Sequence, residues 1–464
     1  MIIQMPDKVK EIIQTLVNHG FEAYAVGGCV RDSILGRVPG DWDITTSAKP
    51  EQVKSLFRRT VDTGIEHGTV TIMLDKEGFE VTTYRIDGEY EDNRHPKNVE
   101  FTSNLVEDLK RRDFTINAMA YNDKEGIVDK FDGLGDIKRK VIRCVGNAEE
   151  RFDEDALRIL RAIRFAAQLN FTIEENTKAA IEKKTEFLRN ISAERIRVEL
   201  EKLLVSKHPE KLIQAYRLGI TDVVMPEFDM MMTTPQNSPY HIYGVGEHCI
   251  AAVQAVQKLF EEVPYVEDAK EQDGFCLDYK LQAILCFTML LHDCGKPNCR
   301  KTDEEGYDHF YGHEQESSVL AKKILRRLKY DNYTIDTATA LIKYHDYPLT
   351  TDKVELRRAA NKIGVDLMEL LFLVKEADAL AHAKEACESR LQSLYQVKEV
   401  YREIREEEDC LTLKDLAVTG KDLMEIGFEQ GKILGTVLNE LLQHVLEKPQ
   451  DNKKEILLEY AKSR

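Results

Sequence analysis

Near Asn147 the spacing of apolar residues changes its period, and this limits the folds open to the chain more than any other feature. Before it, strand-like and helix-like runs alternate. Residues 9–17 read as a helix and 23–26 as a short strand ending at Gly27-Gly28. Runs 60–65, 69–74 and 79–84 are rich in Val, Thr and Ile, punctuated by Gly64, Gly68 and Gly78, and read as strands. Beyond Asn147, runs 149–169, 174–188 and 193–204 carry apolar residues at helical spacing with charged faces between them. The rest reads as helical almost throughout. An α+β chain is expected, with a mixed-sheet head followed by helical regions. A length of 464 residues suits about three or four domains. The boundaries fall at 1–145, 146–235, 236–400 and 401–464. The 235–239 loop and the acidic 406–409 run mark two of them, and 261–280 reads as an acidic loop or insertion.

Hydrophobic residues at 42% and charged residues at 32% allow a sizeable core under a well-solvated surface. The longest uncharged apolar run, 283–291, is far short of the roughly 18 residues of a membrane span. The first residues show no signal pattern, and the nine cysteines lack paired spacing. A cytoplasmic protein with reduced thiols and no membrane partner is expected. The net charge of −17 argues against a general polyanion binder, so any nucleic-acid substrate must meet local basic patches.

Gly27-Gly28-Cys29-Val30-Arg31-Asp32 joins a strand to a helix, where glycines let a phosphate approach the backbone and free N–H groups. Asp41 and Asp43 follow within residues 40–46, which read as a strand, so alternation would point both carboxylates to one face. Such a pair suits Mg²⁺, a hard cation that takes one or two carboxylates plus phosphate oxygens. Glu80 could add a third carboxylate, or lie exposed. Lys110, Arg111 and Arg112 could meet a triphosphate, and Asp113 and Asn117 would share one face of a helix. Arg158, Arg161 and Arg164 recur along one side of a later helix. Rigid guanidinium forks suit base edges and phosphates, although an exposed salt-bridged face is the plainer reading of that helix alone.

Gly27-Gly28-x-x-Arg31-Asp32, Asp41-x-Asp43, Arg111-Arg112-Asp113-x-x-x-Asn117-Ala118 and Glu154-Asp155-x-x-Arg158 occur in that order. Together they resemble the class II tRNA nucleotidyltransferases, the CCA-adding enzymes, and their relatives the bacterial poly(A) polymerases. Residues 193–200 are similar to the family's later neck element, and the resemblance is close over about the first 205 residues. It implies a head of the DNA polymerase β type followed by helical neck, body and tail. It also implies a protein that selects CTP or ATP itself and extends tRNA. Gly28, Arg31, Arg112, Asp113, Asn117, Asp155, Arg158, Arg161 and Arg164 would bind nucleotide. Asp155 and Arg158 would meet the Watson–Crick edge, and Arg112 and Asp113 the ribose. The polar segment 87–96 resembles the flexible loop that accompanies complete CCA addition. In the tail, Gly427, Gly431 and Gly435 at four-residue spacing fit packing turns or close approach to tRNA.

A second constellation lies further on. His292-Asp293 ends an apolar run, with His248 upstream and His313, His345 and Asp378 downstream. Imidazoles with carboxylates make a transition-metal site. The order resembles the HD superfamily of metal-dependent phosphohydrolases. That resemblance implies a first divalent transition metal held by His248, His292, Asp293 and Asp378, and a possible second on His313 and His345. A phosphatase or 2′,3′-cyclic phosphodiesterase activity would follow, and a relic structural site is the alternative. His382 reads as a core or surface residue.

Three functions compete: a tRNA-extending enzyme with an attached hydrolase, an HD phosphohydrolase whose head only binds nucleotides, and a binding module without turnover. Both metal aspartates argue against the last. A poly(A) polymerase is the nearest alternative to the first. No DNA partner is expected. Basic residues cluster at Lys110–Arg112, along the Arg158 helix and at Arg195 and Arg197, while much of the acidity lies elsewhere.

Overall fold

The computed structural model describes residues 2–88, 99–237, 243–262 and 278–463. They divide into two compact units, Met1–Pro226 and Glu227–Arg464. Most of the expected loop 87–96 and of the acidic stretch 261–280, and the end of the 235–239 loop, lie outside the described residues.

Among its described residues, the first unit opens with the helix Asp7–Asn18 and contains nine strands up to Asp129. These are β1 (Ala23–Val26), β2 (Ile44–Thr46), β3 (Thr60–Gly64), β4 (Thr69–Leu74), β5 (Glu77–Thr83), β6 (Arg85–Asp87), β7 (Val99–Phe101), β8 (Met119–Asn122) and β9 (Gly126–Asp129). Seven form one sheet in the order β3-β4-β5-β2-β1-β8-β9, while β6 and β7 pair separately. β2 and β5 run parallel and the other neighbours antiparallel, so the sheet is mixed, as expected. β1 is buried at all four residues because it sits between β2 and β8 with apolar side chains on both faces. Tyr24 and Val26 pack there with Tyr84, Leu105, Leu109, Ala118, Ala120 and Val145. The helix Leu105–Lys110 starts at Asn104, whose side chain accepts the Val106 N–H.

Residues 149–169 do not form one helix. Ala148–Glu154 ends at Asp155, and Leu157–Leu169 begins two residues later. Asp155 has extended dihedrals, and its side chain accepts the Leu157 N–H at 3.1 Å. Aspartate competes in this way with helical backbone bonding, and here it breaks the periodic run. Run 174–188 is likewise the helix Glu175–Lys184 continued by a 3₁₀ segment, Thr185–Asn190. Val141–Ile142 pairs in parallel with Thr172–Ile173.

Among its described residues the second unit is helical, as its sequence periodicity suggests, apart from one short hairpin, Lys301–Thr302 with Asp308–His309. The helix Tyr279–Leu291 is buried along most of its length, which explains its apolar character on all sides. Val365–Leu380 is another largely buried helix, and Lys384–Glu406 follows it.

Candidate functional site

In the first unit the β1–β2 register sets one wall of a cavity. Ala25 lies opposite Ile44, and the Val26 N–H donates to the Asp43 carbonyl at 2.9 Å, so Asp43 sits beside the Gly27-Gly28 turn. Gly27 has φ of 83°, and a Cβ there would stand 3.0 Å from an Arg112 guanidinium nitrogen. The positive φ favours glycine, while the Arg112 tip could swing aside. The helix Gly28–Ile34 then carries Arg31 to the interior, 8% exposed.

The strand expected over 40–46 is shorter: β2 begins at Ile44, and Asp41-Trp42-Asp43 precedes it. Both aspartates are exposed, so strand alternation does not fix them. Their nearness is electrostatically visible all the same. Desolvation pushes the Asp43 carboxyl above its ordinary range, Arg112 opposes that, and the Asp41 carboxylate adds to it. A divalent cation would relieve this repulsion, which suits a metal beside Asp43; Asp43 lines the cavity and Asp41 does not. Glu80 is exposed and absent from the cavity wall.

The cavity has a volume of about 440 Å³, and Gly28, Asp43, Arg112, Asp155, Arg158 and Arg195 are among its lining residues. Asp113 and Asn117 meet, the Asn117 amide donating to Asp113 at 3.0 Å. They do so across the 3₁₀ turn Thr115–Asn117, which corrects the expected shared helical face. Arg31 donates to Asn117 at 2.6 Å and holds Asp32 with two further bonds. Arg161 grips Asp113 from the other side at 2.9 and 2.6 Å. Burial acts to raise the Asp113 carboxyl, but Arg161 and the Asn117 bond hold it well below the usual range.

The helix Leu157–Leu169 does not present an exposed arginine face: Arg158 and Arg164 are 9% and 8% exposed. Arg158 donates to Glu154 at 2.6 Å and to the Arg111 carbonyl at 2.8 Å. Arg164 pairs with the buried Glu199 at 2.7 Å, and burial lowers its pKa to about 10 against that attraction. Asp155 pairs with Arg195 at 2.8 Å. Sequence reasoning missed Phe165, whose ring faces Arg31, Arg161 and Arg164 at 5.0, 5.4 and 3.9 Å. It also missed Glu199 as the counterion of the arginine row. An acid flanked by the apolar Val198 and Leu200 was the available signal. Arg112 Nε and Arg195 Nη1 are buried with no hydrogen-bond partner among the described residues. Spare guanidinium donors in a cavity mark an anion site.

The second unit brings its histidines together. His248 comes from the helix Val245–Glu262, His292 caps Tyr279–Leu291, His313 opens His313–Arg327, His345 caps Asn332–Tyr344, and Asp378 lies in Val365–Leu380. Nδ1 of His292, His313 and His345 donates to the carbonyls of Met289, Phe310 and Ile342 at 2.7, 2.8 and 2.6 Å. A carbonyl can only accept, so each ring is fixed with Nε2 turned to the cluster, as metal-binding imidazoles require. Asp293 joins two groups. Its Oδ2 lies 3.3 Å from His292 Nε2 and 3.7 Å from that of His248. Its Oδ1 lies 3.2 and 3.8 Å from Nε2 of His313 and His345. Asp378 Oδ1 is 3.0 Å from His248.

Neither Asp293 oxygen has a hydrogen-bond partner of good geometry among the described residues, although the Lys296 ammonium stands 2.7 Å from Oδ2. Burial works to raise the Asp293 carboxyl, while His292 and Lys296 hold it well below the usual range. The buried Asp293 and the partly buried Asp378, among inward-facing imidazoles, fit a divalent transition metal. His382, set aside in the sequence, belongs to the same cluster: its Nδ1 donates to the Asp378 carbonyl at 2.7 Å, and its ligand atom groups with those of His248 and Asp378. Lys296 was also missed, although the run His292-Asp293-Cys294-Gly295-Lys296 places it one helical turn on. His309 stands apart from the cluster and pairs with Asp303 beside the short hairpin.

Residues 23–143 match the family described as the poly A polymerase head domain. Residues 170–232 match the probable RNA- and SrmB-binding site of polymerase A, and 302–461 match domain 2 of tRNA nucleotidyltransferases. The CCA-adding enzyme of Enterococcus faecalis is 33% identical over 464 residues, covering 99% of this chain and 97% of that protein. The CCA-adding enzyme of Lactiplantibacillus plantarum is 54% identical over 212 residues, 45% of this chain, and the matched region spans about half of that relative's length, 52%. The crystal structure of the Bacillus stearothermophilus CCA-adding enzyme in complex with CTP superposes with a TM-score of 0.69 at 28% identity, covering 99% of this chain and 98% of that one.

Proposed function

The chain belongs to the family of CCA-adding enzymes, and on that premise we propose that it adds CCA to the 3′ end of tRNA from CTP and ATP. It does so without a nucleic-acid template and releases pyrophosphate. The observation that carries this reading is the single cavity lined by Asp43, Arg112, Asp155 and Arg158 beside the Gly27-Gly28 turn. Asp41 and Asp43 are the Mg²⁺ ligands and the catalytic residues. Mg²⁺ there would neutralise triphosphate charge as the RNA 3′-hydroxyl attacks the α-phosphate.

This chain's own groups hold and orient. Gly28 admits the triphosphate, and the unpartnered Arg112 Nε donates to it or to the ribose. Arg31, Asn117, Asp113 and Arg161 form one bonded relay that fixes the cavity floor. Asp155 and Arg158, at the helix break, offer an acceptor and a donor to the base edge, while Arg164 on Glu199 supports the row. Positioning and charge supply the rate, with no nucleophilic side chain. Residues 1–145 act as head, 146–235 as nucleotide-selecting neck and body, and 401–464 as the tRNA-contacting tail of a cytoplasmic enzyme. The test is to sequence products of tRNA lacking CCA after incubation with CTP, ATP and Mg²⁺. Terminal CCA is expected. A long A tail would mean a poly(A) polymerase, and no extension would sink the reading.

A second activity is favoured by one observation: Asp293 lies between His248 with His292 and His313 with His345. Residues 236–400 would then be a phosphohydrolase of the HD type, acting on a phosphomonoester or 2′,3′-cyclic phosphate. Its divalent metal, held by His248, His292, Asp293 and Asp378, would activate water. Water oxygen bonds to phosphorus, the ester P–O bond breaks, and the leaving oxygen takes a proton. Metal content of the purified full chain checks it: Asp293→Ala should lose the bound transition metal, and equal metal in both proteins refutes the site.

A further inference from the structure

Next to the histidine–aspartate cluster lies a cavity of about 370 Å³ whose wall includes His345 and Asp378. That volume is at the small end of ligand pockets, suited to one nucleotide-sized group rather than a folded RNA surface. Two cations reach it from successive helices, Lys375 from Val365–Leu380 and Arg390 from Lys384–Glu406. Each is tied to the cluster by one contact. Lys375 Nζ donates to the His345 carbonyl at 2.7 Å, and Arg390 Nη1 donates to Asp378 Oδ2 at 3.3 Å. An ammonium has three donors and a guanidinium five, so these single contacts leave donors over. The hydroxyl-bearing Ser389 and Ser393 sit beside them, and Leu349, Leu394 and Val397 supply an apolar wall.

Anchored cations, hydroxyls and an apolar wall at the edge of a metal-ligand cluster match the parts of a small phosphoester. We propose that this cavity binds the phosphoester of the second centre, with Lys375 and Arg390 taking its non-bridging oxygens and the apolar wall its organic group. The phosphorus then faces the edge formed by His345 and Asp378. The assignment rests on the phosphohydrolase reading for its chemistry, but phosphate binding can be measured without turnover. Asp346 on the cavity wall disfavours a second anionic group, which suits a single phosphate rather than a polyphosphate.

The test uses the full chain loaded with Mn²⁺, with inorganic phosphate as the probe, followed by ³¹P relaxation. Lys375→Met keeps most of the buried stem, and Arg390→Gln changes a partly exposed side chain. Each should weaken phosphate binding about 10-fold or more, the scale of a lost charge-assisted hydrogen bond. Arg390→Lys should recover part of it, with metal content and thermal melting unchanged. Phosphate binding that is absent from the parent, or equal in parent and Arg390→Gln, overturns the pocket. Turnover of p-nitrophenyl phosphate, a free nucleoside 2′,3′-cyclic phosphate and an oligonucleotide ending in that group is measured in parallel. Binding that depends on both cations without hydrolysis of any of the three keeps the pocket and sinks the phosphohydrolase reading. A KM raised by both substitutions, with kcat little changed, supports both.

Discussion

At Asp43 a single carboxylate is asked to do the most. It is exposed, so its loss leaves no buried group unpaired, and Asp43→Ala should melt near the parent temperature. Incorporation of CTP into tRNA should fall about 10²–10³-fold, the scale for removing a group that stabilises charge in the transition state. Equal incorporation would refute its role. Asp113 is the opposite case, buried and bonded on both sides. Its folded pKa lies below the ordinary value of 3.8, so its share of stability is fully present above that pH. It is lost as pH falls through the window below 3.8, where the unfolded state takes the proton first. Asp113→Asn should cost about 1–3 kcal/mol at neutral pH by removing the carboxylate that Arg161 grips with two hydrogen bonds, leaving it only the longer contact to Glu199. Parent and variant melting temperatures should converge as pH falls through that window. Parallel pH profiles would contradict this account.

Among elements, the break between Ala148–Glu154 and Leu157–Leu169 and the turn after Tyr279–Leu291 decide the two sites. Periodicity over 149–169 was legible as helix, yet the interruption that turns Asp155 into the cavity was not, because one side-chain bond to a neighbouring N–H has no periodic signature. The residues of the arginine row were legible, whereas their burial was not, since it depends on Glu199 arriving from the helix Ala193–Leu204. In the second unit Gly295 lets the His292-Asp293 turn pack on the helix His313–Arg327. A Cβ there would stand 2.5 Å from the Ser317 nitrogen and 2.8 Å from the His313 carbonyl oxygen. Both are backbone atoms, so neither can rotate aside. Gly295→Ala should therefore destabilise by about 1–3 kcal/mol, as overpacking does, and lower metal content. A variant with the parent's melting temperature and metal content would show that the turn can relax.

For the whole molecule, the net charge of −17 means that the tRNA substrate proposed above must dock through local positive charge rather than through the overall field. No helix among the described residues is long and apolar enough to cross a membrane. The logarithm of the tRNA binding constant should fall linearly and steeply with the logarithm of salt concentration, as phosphate contacts release counterions. Lys110 is exposed in the basic cluster, and Lys110→Gln should reduce that slope by about one. A flat salt dependence would exclude docking through these groups.

The sequence by itself determined the α+β head, the helical remainder, and the residue types at both sites. These follow from local period and motif order, which any short stretch of chain carries. It could not determine that Asp41 and Asp43 precede their strand, that Asn117 meets Asp113 across a 3₁₀ turn, or that Phe165 lies under three guanidinium groups. Nor could it place His382 with His248 and Asp378, or aim Lys375 and Arg390 at one cavity. Some of these join residues far apart in sequence, and even the short-range ones, such as Asn117 with Asp113, depend on how the packed backbone turns. Only packing of the helices and sheet sets them, because a side chain's partners depend on what burial brings near and which polar groups it must satisfy.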